Sequence, residues 1–238
     1  MLPVIHTKPG EKIVTYFSTH HLYDVLPAAY KSLLHFTPDV HVYCFIEDDT
    51  LPYPVPPQIT CVNVSGQTLF PPSGPNYTSN FTYMILLKAA LTKIFPDADK
   101  ALILDVDTIV HADISDLWIH DLANAYYAAV IEPRNTMKWG LPYANFGVTM
   151  LNLSKLRDSG MDDLIIHELN TVRHALPEQD AFCILCMNKM NPLPSKYNAA
   201  PDDITAPTDT IIIEHFAGVK AEYWRSYPIV QYWLNRKE

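Results

Sequence analysis

Ala101-Leu102-Ile103-Leu104-Asp105-Val106-Asp107-Thr108-Ile109-Val110 is an apolar run interrupted by two carboxylates with one residue between them. Four apolar residues lead directly into Asp105, so the segment reads as a buried strand rather than a surface one. Charge in such a place is costly unless a cation neutralises it, and a divalent metal is the usual partner of paired carboxylates. The plain alternative is a pair of surface acids at a strand end, or one acid capping the next turn. Metal at a strand end in a chain of strands and helices points to phosphate chemistry.

The flanking sequence sets the fold class. Ile13-Val14-Thr15-Tyr16-Phe17 reads as a first strand, 24–36 as a helix with apolar positions near a 3.6 period, 40–46 as a second strand and 59–64 as a third. This βαβ opening argues for a mainly parallel central sheet flanked by helices, an α/β chain. The proline-rich stretches 51–57 and 70–75 fit neither helix interior nor central strand, so they read as surface loops within a single domain spanning 1–238. A helix from about Asn80 to Phe95 leads into the aspartate strand. Beyond it, 125–131 and 146–153 read as strands, 161–174 and 178–190 as helices, and 210–214 as a late strand running into His215.

Composition excludes several functions. With 238 residues, 48% hydrophobic and 18% charged, the chain is long enough for a substantial core. Its 17 Lys and Arg against 26 Asp and Glu give a net charge of −9, which works against nucleic acid as a partner. The seven glycines form neither GxGxxG nor GxxxxGK[ST], so a nucleotide's phosphates must be neutralised by metal and side-chain cations. Four scattered cysteines, Cys44, Cys61, Cys183 and Cys186, make no disulfide framework; the CxxC pair reads as buried thiols, with redox or metal roles as the alternative. No apolar run approaches the roughly 20 residues of a membrane span and the N-terminus lacks a basic-then-apolar leader, so the expected compartment is the cytoplasm. The tail from Tyr223 onward is aromatic and basic; it either packs on its own domain or touches a membrane interface, which would make the protein peripheral.

Four segments, in order, resemble the family 8 glycosyltransferases, which include bacterial lipooligosaccharide galactosyltransferases and glycogenin. They are the stretch from Phe81 through Lys88 to Val110, Asn145-Phe146-Gly147-Val148 through Leu153, Pro177-Glu178-Gln179-Asp180, and Ile213-Glu214-His215-Phe216-Ala217-Gly218 with Lys220. The resemblance implies a GT-A (Rossmann-like) fold and a retaining, metal-dependent enzyme that moves a hexose from a UDP-sugar to a glycan or other hydroxyl acceptor. It implies Asp105, Asp107 and His215 as metal ligands, a mixed donor set that suits Mn²⁺, with Mg²⁺ as the alternative. It places Lys88, Glu132, Asn145, Glu178, Gly218 and Lys220 at the donor, Gln179 beside the anomeric carbon and Asp180 next to it. Two departures are visible: the first strand ends in Phe17-Ser18-Thr19-His20-His21 without the family's aspartate, and Lys220 comes one residue early.

Two other readings compete. Leu104-Asp105-Val106-Asp107-Thr108 also satisfies the signature of haloacid-dehalogenase-like phosphohydrolases, in which Asp105 would be the nucleophile and Asp162-Asp163, in a polar turn, the nearest acidic pair for a later metal site. A GT-A domain that binds a sugar nucleotide without turnover is the third.

Overall fold

The computed structural model describes residues 1–79, 81–122, 124–200 and 204–236. Its strands are β1 (Ile13–Phe17), β2 (His41–Ile46), β3 (Ile59–Asn63), β4 (Lys100–Leu104), β5 (Thr108–Val110), β6 (Tyr127–Ile131), β7 (Ala144–Asn152), β8 (Met190–Leu193) and β9 (Ile213–His215). The α-helices are α1 (Leu26–Phe36), α2 (Leu91–Ile94), α3 (Asp116–Ile119), α4 (Pro133–Trp139), α5 (Leu153–Ser159), α6 (Met161–Thr171), α7 (Pro177–Leu185), α8 (Ala221–Trp224) and α9 (Pro228–Asn235). Seven strands form one sheet in the order β3-β2-β1-β4-β7-β6-β8, and β5 pairs with β9 in a separate ribbon. Within the large sheet only β7 runs against its neighbours, β4 and β6.

Side-chain alternation explains why β4 is apolar from Ala101 to Leu104. Ala101 and Ile103 of β4 enter the core beneath α5, α6 and α7, whereas Leu102 and Leu104 enter the core beneath α1 and α9. A strand covered on both faces has little place for a charge until it ends, and β4 ends at Leu104, one residue before Asp105.

Four sequence expectations need correction. The run 101–110 is not one strand: Val106 and Asp107 turn, the Thr108 hydroxyl donates to the Asp105 carbonyl at 2.7 Å, and β5 leaves for the ribbon with β9. The helix expected over 80–95 is a 3-10 helix from Tyr83 to Ala90 that continues into α2; Asn80 lies outside the described residues. The helix expected over 178–190 stops at Leu185, and Met190–Leu193 is instead β8, an edge strand where Pro192 is tolerated. Asp162 and Asp163 open α6 rather than sit in a turn, where acids suit the positive end of the helix dipole.

The aromatic tail packs on its own domain. Trp224, Val230 and Trp233 are buried, α9 lies on α1, and the Lys31 ammonium donates to the carbonyls of Leu234 and Arg236 at its end. Nothing in this packing supports a membrane contact; Lys237 lies outside the described residues. Among the described residues no helix is long and apolar enough to cross a membrane. The four cysteines are free, and burial pushes the Cys183 thiol up to about 11 and the Cys186 thiol up to about 12, which leaves them unreactive.

Candidate active site at the carboxyl edge of the sheet

Parallel strands in an α/β sheet bring their carboxyl ends to one edge, the usual place for a ligand. Asp105 follows β4 and Glu132 follows β6; β7 runs the other way, so its first residues, including Asn145, reach the same edge. There the β6–β7 register shifts between Ala129 and Val130, which frees Phe146 and Gly147 from pairing with β6. From the helical side, Lys88 of the 3-10 helix and Glu178 and Gln179 of the first turn of α7 close a cavity of about 290 Å³.

At its mouth stand Asp105, Asp107 and His215, one ligand atom of each within 4.8 Å of the others. The β5–β9 ribbon creates this meeting. It pairs Thr108 with His215 and lets the Phe216 amide donate to the Asp107 carbonyl at 3.0 Å. His215 Nε2 lies 3.3 Å from Asp107 Oδ1 and 3.9 Å from Asp105 Oδ2. Gly147 makes room for the ring, since a Cβ there would stand 2.0 Å from His215 Cε1.

Deeper in, Lys88 is only 2% exposed, and its ammonium bridges Asp105 Oδ1 at 2.8 Å and Glu178 Oε1 at 3.0 Å. Burial alone would push this lysine down, but the two carboxylates outweigh it and hold Lys88 above its ordinary value, so it stays charged. Glu178 moves up, because burial, helped by Asp105, exceeds the pull of Lys88. Glu132 is also pushed up by burial, against hydrogen bonds from Gln179, Asn145 and Asn135. Gln179 is pinned at both ends: its Oε1 accepts from the Phe146 amide at 3.0 Å and its Nε2 donates to Glu132 at 3.1 Å.

Nine of the residues expected from sequence therefore converge: Lys88, Asp105, Asp107, Glu132, Asn145, Glu178, Gln179, His215 and Gly218 line the cavity. Asp180 and Lys220 do not. The Asp180 carboxylate accepts from the Tyr143 hydroxyl and from the Ala175 and Leu176 amides, so it braces the loop before α7. Consecutive helix residues point about 100° apart, which is why Gln179 faces the cavity and its neighbour does not. Lys220 is exposed at the N-cap of α8. The sequence reading missed three residues, Tyr143, Asn198 and Asn135, the last of which donates to Glu132; they are single residues whose spacing signals nothing.

The trio makes a pH prediction. Burial pushes the His215 imidazole down, but Asp107 outweighs it and holds His215 above its ordinary value of 6.5; the same pair holds Asp107 below its own. Nε2 binds an ion only after losing its proton, so Mn²⁺ affinity is expected to fall as pH drops through the raised His215 value and to level off above it. Without metal the sign reverses: the imidazolium–carboxylate contact contributes stability below about 6.5 and is lost as pH rises through the folded value. Calorimetric Mn²⁺ titrations in buffers of different ionisation enthalpy check this through the released proton. A pH-independent affinity would remove His215 from the ligand set.

With the geometry in place, comparisons identify the class and then the family. The chain superposes on the galactosyltransferase LgtC in complex with donor and acceptor sugar analogs, with a TM-score of 0.66 at 18% identity, covering 87% of each chain. It also superposes on mouse xyloside xylosyltransferase 1, with a TM-score of 0.67 at 17% identity, covering 90% of this chain and 98% of that one. The fold is accordingly GT-A. Residues 58–226 match Glycosyl transferase family 8, well over half of the chain, and the protein belongs to that family. A candidate glycosyltransferase of Haemophilus influenzae is 26% identical over 172 residues, 63% of this chain and 52% of that protein. Glycosyltransferase GlyA of Streptococcus pneumoniae is 24% identical over 164 residues, 68% of this chain and 22% of that protein. The chain thus spans about half the length of the first relative and about a fifth of the second. Membership sets aside the phosphohydrolase reading, and Asp162, its nearest acidic partner, is bound to Thr92 and Lys93 at 2.8 Å, outside the cavity.

Proposed function

We propose that this protein is a retaining, divalent-metal-dependent glycosyltransferase that moves a hexose from a UDP-hexose to a hydroxyl of a glycan or other acceptor. The observation that carries the reading is the Asp105–Asp107–His215 set at the mouth of a cavity walled by Lys88, Glu132, Asn145, Glu178 and Gln179. Two carboxylates and an imidazole whose Nε2 faces them fit a divalent cation, Mn²⁺ in preference to Mg²⁺. When bound, such an ion supplies positive charge to the departing diphosphate.

The remaining roles belong to the chain. Lys88 holds one oxygen of Asp105 and leaves the other facing His215, so the carboxylate is oriented before donor arrives. Glu132, Glu178 and Asn145 offer buried partners to sugar hydroxyls in a space near the lower end of the range for ligand pockets, about 300–1,000 Å³. Gln179 is a poor nucleophile as an amide, and its oxygen already accepts a backbone hydrogen bond, so attack from the face the diphosphate leaves is the better-supported route. The acceptor oxygen bonds to the anomeric carbon as the carbon–phosphate-oxygen bond breaks, the hydroxyl proton passes to the departing diphosphate, and configuration is retained. Asp180 and Lys220 have no contact role in this scheme; Asp180 positions α7.

The test is UDP release from a panel of UDP-sugars with and without Mn²⁺. Slow, metal-dependent hydrolysis of one UDP-hexose that vanishes in Asp105→Ala/Asp107→Ala is the expected result. Donor binding without turnover, with any acceptor tried, would leave a binding domain; no metal-dependent UDP binding at all would sink the assignment.

A further inference from the structure

His215 can bind an ion through Nε2 only if its other nitrogen carries the proton, and the structure contains a device that decides this. The Gly147 amide donates to Asn145 Oδ1 at 3.0 Å. A backbone N–H only donates, so that side-chain atom must be oxygen. The same oxygen accepts from Asn198 at 2.9 Å, which makes the Asn198 atom facing it the NH₂. Asn198 Oδ1 therefore faces His215 Nδ1, 2.8 Å away, and an amide oxygen can only accept. Nδ1 is therefore the protonated nitrogen whenever a cation stands between Nε2 and the Asp107 and Asp105 oxygens, 3.3 and 3.9 Å away; without one, Asp107 competes for the same proton.

We propose that Asn198 is a positioning residue that fixes His215 as an Nε2 ligand and, through Asn145, couples the metal end of the cavity to its sugar end. Asn198 has no solvent exposure, and both ends of its amide are engaged. It reaches this place because residue 199 bridges β9 and the His215 amide donates to the Ala199 carbonyl at 2.9 Å. With the Asn145 oxygen taken twice, that residue shows only its NH₂ to the cavity, where Glu132 lies. A ligating histidine whose outer partner is a carbonyl keeps its tautomer and orientation, and loss of such a partner typically costs about 10–100-fold in metal affinity.

The inference rests on the proposed metal role of His215, but the metal and tautomer readouts of its test use no sugar nucleotide. In the wild type saturated with Zn²⁺, a diamagnetic stand-in for Mn²⁺, long-range ¹H–¹⁵N NMR of the histidines should show His215 ligated through Nε2 and protonated at Nδ1. Asn198→Leu should mix the tautomers and weaken Mn²⁺, followed by electron paramagnetic resonance, by about 10–100-fold. Asn198→Asp keeps an acceptor toward Nδ1 but sets oxygen against the Asn145 oxygen; it should retain the tautomer and most Mn²⁺ affinity while weakening UDP-hexose turnover. Ligation through Nδ1 with the proton on Nε2 in the Zn²⁺-loaded wild type overturns the proposal even if no variant folds, as does wild-type Mn²⁺ affinity in a folded Asn198→Leu. Asn198-dependent Mn²⁺ binding without UDP release supports it while defeating the transferase reading.

Discussion

Replacing Gly147 by alanine is expected to abolish metal binding and to weaken the fold together. A Cβ there would lie 2.0, 2.5 and 2.7 Å from three atoms of the His215 ring, distances that real contacts never reach. The backbone has no freedom to retreat, because its carbonyl accepts from the Asp105 amide at 2.8 Å and its amide donates to Asn145 at 3.0 Å. The ring must therefore leave, giving up both the bond to Asn198 and its place beside Asp107. Mn²⁺ affinity should fall by more than the roughly 100-fold that losing an outer partner costs. Overpacking a closed strand should add about 1–3 kcal/mol of destabilisation. Paramagnetic counting of free Mn²⁺ and a urea midpoint measure the two losses separately. A folded variant that binds Mn²⁺ as the wild type does would show that His215 is not a ligand.

Lys88→Met should produce the larger loss of stability. The side chain would fit, but the ammonium between Asp105 and Glu178 would be gone, leaving a buried carboxylate without its cation. Removing one partner of a buried pair costs about 3–5 kcal/mol, a large share of the 5–15 kcal/mol typical of whole domains. For a chain of this size the melting temperature should drop by roughly 10 °C. The pH dependence identifies the cause. Glu178 already sits above its unfolded value, so its protonated form favours folding, and that contribution is lost as pH rises through the folded value. Without Lys88 the folded value rises further, so the deficit should be greatest near neutral pH and shrink toward pH 5. A deficit independent of pH would mean that lost packing, not lost charge, explains the effect.

The first third of the fold was legible because its strands are continuous apolar runs ended by proline or polar clusters: β1 matches its expected bounds, and β2 and β3 fall within a residue of theirs. The break after β4 was not, since Val106 is as buried as the strand before it and hydrophobicity continues across the turn. β8 was hidden by Pro192, which argues against a strand everywhere except at an edge. In the site, the charged residues could be singled out because buried charge demands a reason. Asp180 was misplaced because sequence adjacency to Gln179 says nothing about helical facing. Asn198 was invisible because its two partners lie 17 and 53 residues away and an isolated amide carries no pattern.

The short ribbon of β5 and β9 has a consequence for how the chain resists unfolding. It holds Asp107 against His215 although roughly a hundred residues separate them, so a long loop closes at the very point where an ion would sit. An ion bound there is a clasp that the unfolded chain cannot fasten. By mass action it would add about 2.7 kcal/mol at about a hundredfold excess over its Kd, so the surrounding ion supply, and not the sequence alone, would set how long the clasp stays shut.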